Sequence, residues 1–327
     1  MSRPLPWHAE SWRRFEQHRH GQRVPHALLI SGLPGIGKRA FAEAMAASLL
    51  CERVDDQGLA CGHCAMCQLV AAGSHPERLI IEPEEEKRTI PVDAIRELIR
   101  RAGLTRQYGH YRAVLIEPAD ALTASAANAL LKTLEEPVPG TVMLLISSRP
   151  ARLPATIRSR CQKWPLPLPE HEVALAWLQQ QRPASDRERM RRLLAITGGA
   201  PLEALRLLEA GADGVLESLS MELEQLSNGT ADPLKVAARW DKAGALLALA
   251  WLYSALADMV RLQLAGGPND AARPGNPAQA EALLDFQQRV AWLLGQLQGG
   301  APLKSLLALE ELLIDWQRMG AAARRTR

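Results

Sequence analysis

Residues 26–39 read HALLISGLPGIGKR, an apolar run followed by Gly32, Gly35, Gly37, Lys38 and Arg39. The spacing is that of a phosphate-binding loop, G-x-x-x-x-G-K-[ST], on a turn between a strand and a helix. In that motif the glycines let backbone N–H groups close on phosphates, the lysine reaches the β- and γ-phosphates, and the final hydroxyl holds Mg²⁺. Gly32, Gly35, Gly37 and Lys38 keep the cradle, but Arg39 stands where the hydroxyl belongs. A guanidinium has no acceptor lone pair and a fixed positive charge, so it cannot coordinate a cation. The loop retains the means to hold an anion at the N-terminus of its helix. Use of ATP and Mg²⁺ in cis is not expected.

A second element points the same way. Residues 112–120, RAVLIEPAD, read as a buried strand running into Glu117 and Pro118. Hydrolysis on such a site needs a carboxylate for Mg²⁺ at the strand end and a residue that orients the attacking water. Glu117 supplies the first. Pro118 has no ionisable group for the second, and Asp120, three residues past Glu117, is a poor substitute.

Cys51, Cys61, Cys64 and Cys67 form a C-x9-C-x2-C-x2-C cluster. Four thiolates make the tetrahedral set that Zn²⁺ takes in closed structural sites, and Gly62 permits a tight turn. Other uses compete: His63 in place of one thiolate, a redox pair in Cys61-Gly-His-Cys64, or thiols without metal. The redox reading leaves Cys51 and Cys67 without a role, and the spacing favours four-cysteine zinc. Cys161 stands apart, as a small buried hydrophobe.

These groups need a framework. With 327 residues and 47% apolar content, the chain is long enough for two or three domains. A net charge of +3 is mildly basic and says little about nucleic acid. No apolar run of 18 residues predicts a membrane span, and the start, MSRPLPWHAESWRR, lacks the apolar core of a signal peptide. An odd number of cysteines, four of them clustered, suits metal ligation in a reducing, cytoplasmic setting.

Short apolar strands alternate with helical periods up to about residue 167. Strands are expected at Ala27–Ile30, Arg78–Ile81, Ala113–Ile116, Val142–Ile146 and near Gln162–Trp164, with helices at Lys38–Leu50, Pro91–Ala102 and Thr123–Glu135. That alternation predicts an α/β domain with a parallel sheet covered on both faces. The segment WPLPLPE at 164–170 marks a boundary, after which the pattern is helical. Helices are expected at Glu170–Gln181, Asp186–Ile196 and Pro201–Glu209. Long Leu/Ala-rich stretches follow, with Trp240, Trp251, Trp292 and Trp316 read as core. A Gly/Pro/Asn interruption at 266–279 is read as a loop. The expected division is 1–167 with a metal module at 51–67, then 168–211, then 212–327.

The segment NALLKTLEEP at 128–137 and Ser159-Arg160-Cys161 resemble the clamp-loader branch of the AAA+ ATPases. Within that branch, a cysteine cluster, a degraded phosphate loop and an intact SRC together resemble the delta-prime subunits of bacterial DNA polymerase III clamp loaders. The resemblance is dense over residues 20–165 and rests on an all-helical layout beyond them. It implies an AAA+ P-loop domain with an inserted zinc module, a small helical lid and an all-helical collar. It also implies a five-subunit assembly with ATP-binding gamma/tau subunits and a delta subunit, which loads a sliding clamp onto primed DNA as part of the polymerase holoenzyme.

In related subunits the SRC arginine reaches into a neighbour's ATP site, so the resemblance gives Arg160 that role in trans. The chemistry is that of an arginine finger, a permanent planar cation meeting the charge that develops on the γ-phosphate. Active relatives also carry a sensing arginine in a Gly-Ser-x-Arg setting; Gly199-Ala200-Pro201-Leu202 puts leucine there, with Arg206 nearby. Ser147 and Ser148 occupy the place of a first polar sensor. Asn128, Lys132 and Glu135 share a helix face and receive no catalytic role. An active P-loop ATPase or nucleotide kinase is the rival reading, and it has no account of Arg39 or Pro118. A zinc-dependent nucleic-acid-binding protein is a third, disfavoured by the near-neutral charge.

Overall fold

The computed structural model describes residues 3–21, 23–84, 87–265, 277–299 and 301–325. Most of the expected 266–279 loop lies outside them. The chain divides into two compact units, Met1–Gln180 with Ala200–Glu203, and Gln181–Gly199 with Ala204–Arg327.

The first unit runs α1 (Ala9–His20), β1 (Ala27–Ser31), α2 (Lys38–Leu50), α3 (Ala65–Ala71), β2 (Arg78–Ile81), α4 (Val92–Ala102), β3 (Arg112–Ile116), α5 (Ala124–Glu135), β4 (Thr141–Ser147), α6 (Ala155–Arg160), β5 (Gln162–Pro165) and α7 (His171–Gln181). The five strands form one sheet in the order β2-β3-β4-β1-β5, with every pairing parallel. A parallel sheet needs crossover helices, which bury both of its faces, and β1, β3 and β4 are apolar at nearly every position for that reason. Leu28, Ile30, Leu115, Leu144 and Ile146 pack on one face with Trp12, Phe15, Phe41 and Met45. Their neighbours Leu29, Val114, Ile116, Met143 and Leu145 pack on the other with Ile95, Leu98, Leu130 and Ile157. This is the α/β P-loop domain expected from the sequence.

Local chemistry sets the helix ends. Thr123 Oγ1 accepts from Ala126 N at 3.2 Å and caps α5. Pro91 is itself the N-cap residue of α4. The far end of α4 is held by a buried ion pair. Arg112 Nε meets Glu77 Oε2 at 2.6 Å, while Arg112 Nη1 donates to the carbonyls of Arg101 and Leu104, both at 3.1 Å, and to that of Ala102. Glu77 Oε1 accepts from Gln107 N at 2.7 Å, so each charge has several partners.

The second unit is helical: α8 (Arg187–Ile196), α9 (Pro201–Glu209, whose first residues belong to the first unit), α10 (Asp213–Asn228), α11 (Pro233–Ala265), α12 (Pro277–Gln298) and α13 (Ser305–Arg325). Asp186 caps α8 by accepting from Arg189 N at 2.9 Å. Leu223, Leu226, Val236, Trp240, Leu252, Phe286, Val290, Leu313 and Trp316 form its core. Trp251 packs edge-on against Trp240, but Trp292, expected in the core, is 62% exposed. By length and composition α11 is able to cross a membrane; Val236, Ala237, Trp240, Leu249, Leu252 and Leu256 on it lie in this core. Gly244, at φ 117° and ψ 99°, breaks the helix inside its span.

Candidate functional site

The phosphate loop sits at the end of β1 and leads into α2. Gly37 is the N-cap of α2 at φ 88°, in the left-handed region that favours glycine. Gly35, at φ 73°, is also sterically confined, since an added Cβ would lie 2.8 Å from Glu203 Cβ and 3.2 Å from Ala200 Cβ. Leu202 N donates to Gly35 O at 3.0 Å. Ala200, Leu202 and Glu203, from the stretch matched to the relatives' sensing arginine, therefore lie against the loop. From the other side, Trp7 Nε1 and His8 Nε2 each sit 2.9 Å from Ile36 O. Nothing in the sequence pattern pointed to this N-terminal contact.

Lys38 is buried, and its Nζ donates to Leu33 O at 2.6 Å, within its own loop. Burial lowers its pKa to about 8, against the pull of Glu117 and Asp120. His8 is held at about 4 by burial, so the ring is neutral at physiological pH.

Arg39 lies at the position of the missing hydroxyl, and its charge is spent locally. Nε donates to Glu43 Oε1 at 3.1 Å, and Nη1 donates to Glu117 Oε2 at 3.1 Å and to Glu82. Glu117 is thus tied to the arginine at the strand end. Burial raises its pKa, with Arg39 opposing. Asp120, weighed as a substitute acid, is engaged elsewhere: Ser147 Oγ donates to its Oδ1 at 2.6 Å and Arg149 Nε to its Oδ2 at 3.2 Å. Glu43 was findable, one helical turn beyond Arg39; Glu82 and Arg149 come from distant segments and carry no local signal.

Arg160 ends α6. Its Nε meets Glu135 Oε1 at 2.8 Å, its Nη1 donates to Thr156 O at 3.0 Å, and a third of the side chain stays exposed. Ser159 is exposed beside it, with Oγ donating to Thr156 O at 3.1 Å. Cys161 is buried, which lifts its thiol to about 11, as suits the packing role read for it. Glu135, which received no role from the sequence, is the partner of Arg160.

Between α2 and β2, Cys51, Cys61, Cys64 and Cys67 bring four sulfurs within 4.8 Å of one another. Cys51–Cys64 is 4.0 Å, Cys61–Cys67 3.9 Å and Cys67–Cys51 3.6 Å. A tetrahedral thiolate set with metal–sulfur bonds of about 2.3 Å puts sulfurs about 3.8 Å apart, so the arrangement fits a metal ion. Backbone amides of Cys61, Cys64 and Cys67 point at the sulfurs of Cys51, Cys61 and Cys64, at 3.3–3.4 Å. Such donors stabilise thiolate. His63 stands outside this four-sulfur group, its Nδ1 2.9 Å from Cys61 O. The module is anchored by Trp12 Nε1 donating to Gln57 O at 2.8 Å and Ser48 Oγ donating to Gly58 O at 2.7 Å.

Known proteins resemble the chain over much of its length. The sequence family described as DNA polymerase III, delta subunit matches residues 7–170. DNA polymerase III subunit delta' of Pseudomonas aeruginosa is 39% identical over 97% of this chain and 98% of that one. The subunit of the same name from Escherichia coli (strain K12) is 35% identical over 78% of this chain and 76% of that one. Among solved structures, a DNA polymerase III gamma subunit-related protein of Thermotoga maritima aligns over 94% of this chain and 99% of that one, at 15% identity and a TM-score of 0.44. With relatives of this identity spanning 78–97% of its length, the chain belongs to the family of DNA polymerase III delta' subunits.

Proposed function

We propose that this chain is a non-hydrolysing subunit of a DNA polymerase III clamp loader and that it supplies Arg160 in trans to a neighbouring subunit's ATP site. The observation that carries this reading is a contrast of two arginines. Arg39 is tied to Glu117 and Glu82 within the chain's own loop, at the position where metal would bind. Arg160 ends a short helix with a single carboxylate partner, Glu135, and a third of its side chain exposed. A subunit with that pair of features turns nothing over itself and still delivers a cation to another site.

The expected partners are the ATP-binding gamma/tau subunits and the delta subunit, with the sliding clamp and primed DNA engaged by the assembly in the cytoplasm. Residues 168–211 would act as a lid and 212–327 as the collar through which subunits associate. The four cysteines would hold a structural Zn²⁺. A closed four-thiolate site leaves no position for a substrate. Gly32, Gly35, Gly37 and Lys38 would then be a relic cradle. The test is steady-state ATPase of the reconstituted loader with clamp and primed DNA, wild type against Arg160→Ala. A large loss with assembly intact is expected, and unchanged turnover would overturn the reading.

A further inference from the structure

We infer that Arg39 is the resident cation of this phosphate loop: its guanidinium occupies the place of a divalent metal, and so the loop rejects metal-bound nucleotide. The inference deepens the non-hydrolysing half of the proposed function and rests on it.

Three carboxylates converge on one side chain. Glu43 accepts from Nε, while Glu82 and Glu117 both accept from the single nitrogen Nη1. Two carboxylate oxygens that share one donor lie within reach of one cation, and hard divalent ions take carboxylate oxygens of that kind. Arg39 differs from such an ion in being covalently present and permanently charged. A Mg²⁺ entering at Glu117 would have to displace the guanidinium that already engages Glu82 and Glu117, and would meet its charge and that of Lys38 at short range. Glu117 is the acid that the fold places at the end of β3, where metal would be expected, and it is mostly buried against this arginine. Loss of the arginine would remove the charge that Glu82 and Glu117 share, leaving Arg78 beside Glu43 and Lys38 near Glu117. An external cation would then relieve Glu82 and Glu117.

The test uses the purified full-length chain, zinc-loaded as isolated, with Mn²⁺ as an electron paramagnetic resonance probe and thermal unfolding with and without MgCl₂. Wild type should show no Mn²⁺ dependent on Glu117, and its Tm should not respond to Mg²⁺. Arg39→Ser should bind Mn²⁺ at least about tenfold more tightly than wild type, because carboxylate charge is now available to a hard ion, and Mg²⁺ should raise its Tm. Adding Glu117→Gln should remove both gains, and Arg39→Lys should behave as wild type. If Arg39→Ser does not fold, Arg39→Gln, neutral and of similar length, is read in its place. No gain in either neutral variant, or Glu117-dependent Mn²⁺ in wild type, would overturn the inference. Because the readout is metal binding by the isolated chain, such a failure is separate from any failure of Arg160 in the assembled loader.

Discussion

Arg160 and Glu135 join the ends of α6 and α5, with guanidinium Nε 2.8 Å from carboxylate Oε1. The side chains are 35% and 49% exposed, so the pair is a surface contact. Such contacts are worth about 0–1 kcal/mol. Little energy therefore opposes the swing that would carry Arg160 into a neighbour. Glu135→Gln should change loader ATPase by no more than about fivefold, the factor that 1 kcal/mol represents. On the proposed role in trans, Arg160→Ala should cost about a thousandfold at the neighbour's site, and Arg160→Lys should not rescue it, since lysine lacks the planar fork. Single-turnover hydrolysis at that site separates the three.

Lys38 offers a contrasting test. It is buried, depressed to about 8, and bonded to its own loop at Leu33. In a working phosphate loop, removing the lysine abolishes turnover. On the proposed non-hydrolysing role, Lys38→Ala should leave ATPase of the assembled loader within about twofold of wild type. A collapse of turnover would mean that this chain binds and uses nucleotide.

Metal analysis of the purified chain should return one zinc per molecule. Cys64→Ser and Cys67→Ser should lose it and lower the Tm, since metal held by a folded site adds to folding stability. Cys161→Ser should keep full zinc, because Cys161 lies outside the four-sulfur cluster. His63→Ala should also keep it, its ring being turned to the Cys61 carbonyl.

Glu77 and Arg112 are both nearly inaccessible, with side chains 1% and 4% exposed. Replacing one partner of such a pair strands the other charge, at a cost of about 3–5 kcal/mol. Glu77→Ala should show this in urea unfolding. It should also sensitise the segment after α4 to proteolysis, because Glu77 holds Gln107 and Arg112 holds the last carbonyls of that helix.

His8 sets a pH dependence. Its folded pKa is lowered from 6.5 to about 4 by burial, so as pH falls the unfolded chain takes up the proton first. The stability contributed by the neutral ring is complete above 6.5 and lost as pH falls toward 4, to the extent of about 3 kcal/mol. His8→Gln should flatten that part of the stability–pH curve relative to wild type. An unchanged difference between the two across the range would mean that His8 does not titrate there.

The sheet was legible because its strands are buried on both faces and read as unbroken apolar runs, and β2, β3 and β4 fall within a residue or so of their expected positions. The helices α2, α4 and α5 were legible from their periodicity and from Thr123 and Pro91 at their starts. The helix α1 was missed: charged residues dominate AESWRRFEQHRH, and only Trp12 and Phe15 are buried. The seven-residue α3 is too short for periodicity to register; Cys64 starts it by accepting from Cys67 N. Trp292 was misread because helical spacing alone does not say which face meets the core. The cysteine cluster was readable because its members are close in sequence. The partners of Arg39 and Arg160 were not, since Glu82, Glu117 and Glu135 come from separate segments and meet these arginines only after the sheet has formed.

The strand order has a consequence for biosynthesis. β1 pairs only with β4 and β5, so both of its edges wait for chain that begins at Thr141. From Ser31 to Thr141 a ribosome working at roughly 5–20 residues per second needs about 5–20 s. Throughout that interval the most apolar strand of the emerging domain has neither neighbour, and unpaired strand edges invite association between chains. The cysteine module and the β2–β3 pair emerge earlier and close over short separations, so they can order first. The nascent chain therefore acquires its periphery before its centre, and its exposure to chaperones should peak just before β4 emerges.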